Sequence, residues 1–188
     1  MHPALLVALV VWFLVELVMV LAKRAGGTGD RSRDAGTLAL LWIVIPISCA
    51  AAGLLAGFGI LPFPVSARMP LMWVGIVLIV LGLALRLLAI LTLERMFTVD
   101  VAIREGHRLV TSGPYRFVRH PSYAGSLLSF LGFGLALGTF PALLVATLPA
   151  AGVFAARIRV EERALARAFG EAWRHYAERT ARLVPGLY

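Results

Sequence analysis

The chain has 188 residues, 60% of them hydrophobic and only 15% charged, a balance that excludes an ordinary water-soluble globule. Its net charge of +8 would suit nucleic acid, but the arginines flank apolar tracts, where they hold loops on the cytoplasmic side of a membrane. Nucleic acid is therefore not the expected partner. The lone cysteine, Cys49, lies inside an apolar tract and reads as a small buried hydrophobe, not as half of an intramolecular disulfide.

Residues 4–22 are apolar except for Glu16 and span about 28 Å as a helix, close to the thickness of the hydrocarbon core. Lys23 and Arg24 follow that run instead of preceding it, and no small-residue cleavage site is present. The segment is thus expected to be a retained first span, not a signal peptide. Residues 37–61 carry no charge and predict a second span, in which Pro46 can kink the helix without unfolding it. A turn at Leu61-Pro62-Phe63-Pro64 leads into a third tract, 70–93, interrupted only by Arg86. Residues 121–156 run 36 positions without a charge, about 54 Å as one helix and nearly twice the bilayer core, so this tract must turn back. Gly138-Thr139-Phe140-Pro141 supplies the turn chemistry at its midpoint, predicting a helical hairpin. Small residues at 50–53, Gly57, Gly59, Gly125, Gly132, Gly134 and Gly138 are expected to let helices approach closely. The glycine-rich stretch 26–29 reads as an exposed connection.

Five crossings place Lys23, Arg24, Arg31 and Arg33 on one side, Arg68 alone on the other, and Arg95, Arg104, Arg108, Arg116 and Arg119 back on the first, with seven more arginines from 157 to 182. That asymmetry predicts an N-terminus outside and a C-terminus in the cytoplasm. The expected fold class is all-α: a polytopic membrane helix bundle of five transmembrane helices with a C-terminal cytoplasmic helical segment. It forms a single membrane domain, 1–188, with three N-terminal spans in 1–93. The catalytic region is 94–188, containing the hairpin 121–156 and cytoplasmic C-terminal helices.

Glu16 and Arg86 are ionisable groups within spans, where such groups are functional candidates by default; snorkelling or mutual pairing is the plainer account. Around the start of the fourth span, Pro121 stands where a helix tolerates proline and His120 precedes it at the membrane surface. The free amides there, together with Arg119, would make an anion site for a carboxylate or phosphate. An interfacial anchor belt of Tyr115, Arg116, Arg119 and Tyr123 is the alternative. After the fifth span, Ile158, Leu165, Phe169, Trp173 and Tyr176 recur at helical intervals and predict an amphipathic extension broken near Gly170. Glu161 and Glu162 sit about 100° apart on it and cannot occupy one position. No His/Cys grouping has zinc spacing and no Gly-rich phosphate loop follows a strand, so neither a metal nor covalent catalysis is expected.

The order of motifs resembles the isoprenylcysteine carboxyl methyltransferase family and related small integral-membrane methyltransferases. The matching residues are Gly113-Pro114-Tyr115, Arg119-His120-Pro121-Ser122-Tyr123-Ala124-Gly125 and Glu161-Glu162. They are followed by Phe169-Gly170-Glu171-Ala172-Trp173-Arg174-His175-Tyr176 and a closing Leu183-Val184-Pro185. The resemblance covers residue 109 to the C-terminus; the first hundred residues match only as membrane helices. It implies a five-span enzyme that binds S-adenosyl-L-methionine at the cytoplasmic end of the last helices and takes a lipophilic or prenylated acceptor from the bilayer. The implied cofactor residues are Tyr115, His120, Pro121, Tyr123, Gly125, Glu161 and Glu162. Arg119 and Arg174 stand in matching stretches and are assigned to the acceptor as catalytic residues. The expected reaction is carboxyl methylation of an isoprenylcysteine-like substrate. A small lipid, amine or thiol acceptor also fits, because nothing in the first three spans specifies a prenyl group. Arg119-His120-Pro121 and Pro185-Gly186-Leu187-Tyr188 also resemble sterol-reductase-like proteins, which makes an NADPH-dependent membrane reductase the alternative enzyme; a non-catalytic scaffold leaves the polar residues at one interface without a purpose. The Ala, Leu, Gly and Arg content points to a bacterial inner membrane.

Overall fold

The computed structural model describes residues 2–24, 36–93 and 109–186. The expected loop at 26–29, Arg31, Arg33, Arg95, Arg104, Arg108, Leu187 and Tyr188 lie outside the described residues, as do the side chains of Lys23 and Arg24. Five α-helices follow in chain order: α1 (Pro3–Arg24), α2 (Thr37–Gly57), α3 (Val65–Leu93), α4 (Pro121–Ala136) and α5 (Phe140–Arg179), with a 3-10 turn at Gly113–Arg116 before α4. Three of them, α2, α3 and α5, are long and apolar enough to cross a membrane. Helix α1 has 22 residues, and α4 has 16, about 24 Å against a hydrocarbon core of about 30 Å. Among the described residues, length and composition support three spans outright, where five were expected.

Helix α4 can be short because it is sheathed by protein. Ten of its residues are buried, among them Ser122, Ser126, Ser129, Phe130 and Phe133. The sheath on one side is α3, antiparallel to it. A Cβ on Gly132 would lie 2.5 Å from the Gly75 carbonyl oxygen, and one on Gly125 would lie 2.5 Å from that of Gly82. Both pairs are seven residues apart along their helices, so one seam of glycines lets the two backbones touch. Gly53 and Gly57, expected to serve the same purpose, face open space; α2 meets α5 through Ala52, Ala142 and Ala146 instead.

Both predicted turns form, and they hold each other. Thr139 caps α5 by accepting a bond from the Ala142 amide at 3.3 Å. The Phe63 amide donates to the Gly138 carbonyl at 2.9 Å and the Phe140 amide to that of Leu61 at 3.1 Å. Phe63 and Phe140 pack edge to face at 4.7 Å over this junction.

Outward faces of the bundle are apolar, with Val7, Phe13, Ile43, Ile47, Leu54, Val77, Leu88, Leu91 and Leu148 exposed, as lipid contact requires. Helix α5 runs on past its apolar part and breaks at Gly170, whose φ of 52° and ψ of −120° suit glycine and strain any other residue. Beyond the break Trp173 and Tyr176 are buried, and residues 180–182 return to the segment before α4.

Candidate functional site

Polar side chains concentrate at one end of the bundle, where α4 begins, α3 ends and α5 leaves its apolar portion. The tail clasps this end through its backbone. The Arg119 amide donates to the Ala181 carbonyl at 2.8 Å, the His120 amide to that of Arg182 at 3.0 Å, and the Ala181 amide to that of Phe117 at 3.2 Å. Tyr176 adds a side-chain tie, its hydroxyl donating to the Tyr115 carbonyl at 2.7 Å. Burial pushes the Tyr176 phenol up to about 12; burial and the nearby Glu161 carboxylate raise Tyr115 as well. Both phenols stay protonated at neutral pH, so each keeps an O–H to donate.

The centre of the site is His120, which is 4% exposed. Its Nδ1 lies 3.8 Å from Glu161 Oε2 and its Nε2 lies 3.4 Å from Glu162 Oε1. The 100° between consecutive helical residues thus sends the two carboxylates to opposite edges of one imidazole. His120 stacks on Tyr123 at 5.7 Å, and Tyr123 stacks on Phe154 at 5.2 Å.

The two glutamates differ in how fully they are used. Glu162 accepts from Arg119 Nε at 2.9 Å and from Arg182 Nε at 3.0 Å. Burial alone would raise its carboxyl, but the adjacent His120 and Arg119 outweigh that and hold it down to about 2. Glu161 is more open, 33% exposed, and accepts from the Tyr123 hydroxyl at 3.0 Å through Oε2. Its second oxygen has no protein partner among the described residues.

Behind Tyr123 stands Arg157, which is 3% exposed. Its Nε donates to the Tyr123 hydroxyl at 2.9 Å and its Nη1 to Thr37 Oγ1 at 3.3 Å. A continuous polar chain therefore runs from the start of α2 through Arg157, Tyr123 and Glu161 to His120, Glu162 and the tail. Sequence reasoning did not single out Arg157, Thr37 or Arg182. The usable signal was position: Arg157 is the first charge after a 36-residue uncharged tract, where burial against a neighbouring helix end is the alternative to snorkelling.

Tyr115, His120, Pro121, Tyr123, Glu161 and Glu162 are brought together at this end. Gly125 sits one turn deeper, with the side that a Cβ would fill closed by α3. Arg119 is turned inward, donating to Glu162 and to the carbonyls of Ala177, at 2.7 Å, and Thr180. It secures the tail through Nε and Nη1 with a side chain only 9% exposed, so the Arg119 half of the expected anion site is filled by the protein's own Glu162. Arg174 is 70% exposed and pairs with Glu171 on the surface at 2.8 Å; it does not join the cluster. The intramembrane charges do pair, Arg86 Nε lying 2.7 Å from Glu16. Arg86 Nη1 also donates to Ser122 Oγ at 3.0 Å, which carries this guanidinium to the first turn of α4, two residues from His120.

A family model described as phospholipid methyltransferase matches residues 70–172. Protein-S-isoprenylcysteine O-methyltransferase B of Arabidopsis thaliana is 39% identical over 113 residues, covering 59% of this chain and 57% of the relative. The cobalt-zinc-cadmium resistance protein CzcN of Cupriavidus metallidurans is 39% identical over 116 residues, covering 61% of this chain and 52% of that protein. A solved structure of the eukaryotic intramembrane Ras methyltransferase ICMT (isoprenylcysteine carboxyl methyltransferase) superposes with a TM-score of 0.64 at 26% identity, covering 78% of this chain and 52% of that one. The chain thus spans about half the length of the relatives it matches.

Proposed function

Because the chain belongs to the phospholipid methyltransferase family, we propose that it is an integral-membrane methyltransferase that uses S-adenosyl-L-methionine to methylate a lipophilic carboxylate of the isoprenylcysteine kind. The observation that carries this reading is His120 held between Glu161 and Glu162 at the start of α4. The Arabidopsis relative and the solved structure named above are methyltransferases by name, which supports the same reaction class.

The residues fit such a cofactor on two features. His120 Nε2 is buried and makes no well-aligned hydrogen bond among the described residues, its acceptor neighbour being Glu162 Oε1 at 3.4 Å, and Glu161 keeps one carboxylate oxygen without a protein partner among the described residues. Glu161 can accept hydrogen bonds from an ammonium or from ribose hydroxyls, while Tyr115, Pro121 and Tyr123 wall the site. Glu162 keeps the tail closed over it. S-adenosyl-L-methionine, when bound, supplies the electrophilic methyl group. An acceptor carboxylate is already ionised at neutral pH, so the protein need supply no general base. Its contribution is orientation, which reaches about 7–11 kcal/mol in favourable models.

Neither Arg119 nor Arg174 is placed to hold the acceptor, and we assign that role to Arg86. Its guanidinium reaches the first turn of α4 from within a span, where a hydrocarbon tail can remain in lipid while the carboxylate is held. In this reading the chain crosses a bacterial inner membrane five times, with the N-terminus outside and the polar end in the cytoplasm.

Methyl transfer from labelled S-adenosyl-L-methionine to a panel of lipophilic acids, thiols and amines tests the proposal. Base-labile methyl ester on an S-prenylated cysteine is expected. Label found only on thiols or amines would overturn the acceptor, and none on any compound would overturn the activity.

A further inference from the structure

The partner of Arg86 asks for an explanation that packing does not supply. Helix α1 is already held by Leu5 against Met72 and Ala136 and by Trp12, which packs edge to face on Phe130 at 5.2 Å. An ion pair withdrawn from water roughly breaks even against apolar neighbours of similar size, so Glu16 is not needed to fasten the helix. Both side chains also stay partly exposed, 17% for Arg86 and 27% for Glu16. They do so with the exposed Phe13 and Leu17 flanking Glu16 on α1, where a molecule with a hydrocarbon tail would arrive.

The arrangement of donors bears on ligand binding. A guanidinium holds a carboxylate best through two parallel N–H groups. Here Glu16 lies against Nε, off the N–H axis, and Ser122 takes Nη1. Nη2 is the nitrogen without a protein partner among the described residues. Each two-donor edge is therefore half occupied.

We propose that Glu16 is an internal stand-in for the acceptor's carboxylate: it occupies Arg86 in the free protein and is displaced when a lipophilic acid binds. Glu16 then sets how tightly acids are held and disfavours those whose tails bury too little surface to complete the exchange. Glu16 lies outside the segment matched by the family model, so this is a property of the chain's own first helix. The inference rests on Arg86 being the acceptor's partner in the proposed function.

The test compares the wild-type protein, Glu16→Gln and Glu16→Asp in detergent. Calorimetry measures binding of an N-acetylated S-farnesylcysteine and of its methyl ester, alongside KM and kcat for methyl transfer. Glu16→Gln is expected to bind the free acid at least about fivefold tighter, with the ester unchanged, KM lowered in parallel and kcat within about twofold. Unchanged or weakened acid binding, with a lowered Tm, would show that Glu16 only fastens α1 and would overturn the proposal. Should Glu16→Gln fail to fold, Glu16→Asp, whose shorter arm loosens the pair, must tighten acid binding; no tightening counts equally against it. Tighter acid binding with no methyl transfer by any of the three proteins would remove the methyltransferase reading and leave the displacement standing. Wild-type methyl transfer with no effect of the substitutions does the reverse.

Discussion

At the scale of single residues, Glu161 and Glu162 show how one helical step divides labour. Glu162 faces Arg119, Arg182 and His120 and is consumed by them. Glu161 faces Tyr123 and keeps one oxygen without a protein partner among the described residues. Because the Glu162 carboxyl is held near 2 against an ordinary 4.5, its contribution to stability is complete above pH 4.5 and is lost as the pH falls toward 2. The melting temperature in detergent should therefore hold steady from neutral pH to about 5 and drop below it, reporting a loss of stability on the order of 1–2 kcal/mol once solvent screening is allowed for. Glu162→Gln should lower the neutral-pH melting temperature and flatten this acid limb; an unchanged limb would remove Glu162 from the tail's anchorage. The pair was legible in the sequence as two unlike positions, but which one faces the site was not, since that depends on where the tail returns. Arg174 and Arg182 look alike in sequence, yet only Arg182 reaches Glu162, because it lies past the end of α5, where the chain returns to the segment before α4, while Arg174 is still on the helix.

Among the elements, turns and breaks were readable because their chemistry is local. Gly138, Thr139 and Pro141 specify the hairpin, and Gly170 specifies the end of the straight helix, through backbone angles and caps that neighbouring residues alone determine. The glycine seam between α3 and α4 was readable only by half. Gly125 and Gly132 stood out, but Gly75 and Gly82 become their partners through an antiparallel register that no local pattern encodes. Gly53 and Gly57 have the same composition and no close neighbour. Gly132→Ala should push α4 away from the Gly75 carbonyl and the Ile79 amide, 2.5 and 2.9 Å from the new carbon. A loss of about 1–3 kcal/mol is expected from such overpacking, while Gly53→Ala should be close to neutral. Denaturation in mixed detergent checks both, and equal effects at the two positions would contradict the seam.

For the whole molecule, the composition pointed to a membrane and its charge to one basic face, and the structure gathers the polar chemistry at a single end. The sheathing of α4 was not legible, because a 16-residue apolar helix reads the same whether lipid or protein covers it. Its consequence is functional. A protein-covered helix start can place His120, Pro121 and Tyr123 away from lipid while Arg86 remains at the bilayer edge, which suits a water-soluble donor and a lipophilic acceptor meeting at one point. The most direct measurement of that claim is calorimetric titration of the purified protein with S-adenosyl-L-methionine and, separately, with NADPH, each repeated on Glu161→Gln. Saturable binding of S-adenosyl-L-methionine, weakened at least about tenfold in the variant, and no binding of NADPH is the predicted result. Binding of NADPH with none of S-adenosyl-L-methionine would contradict the account.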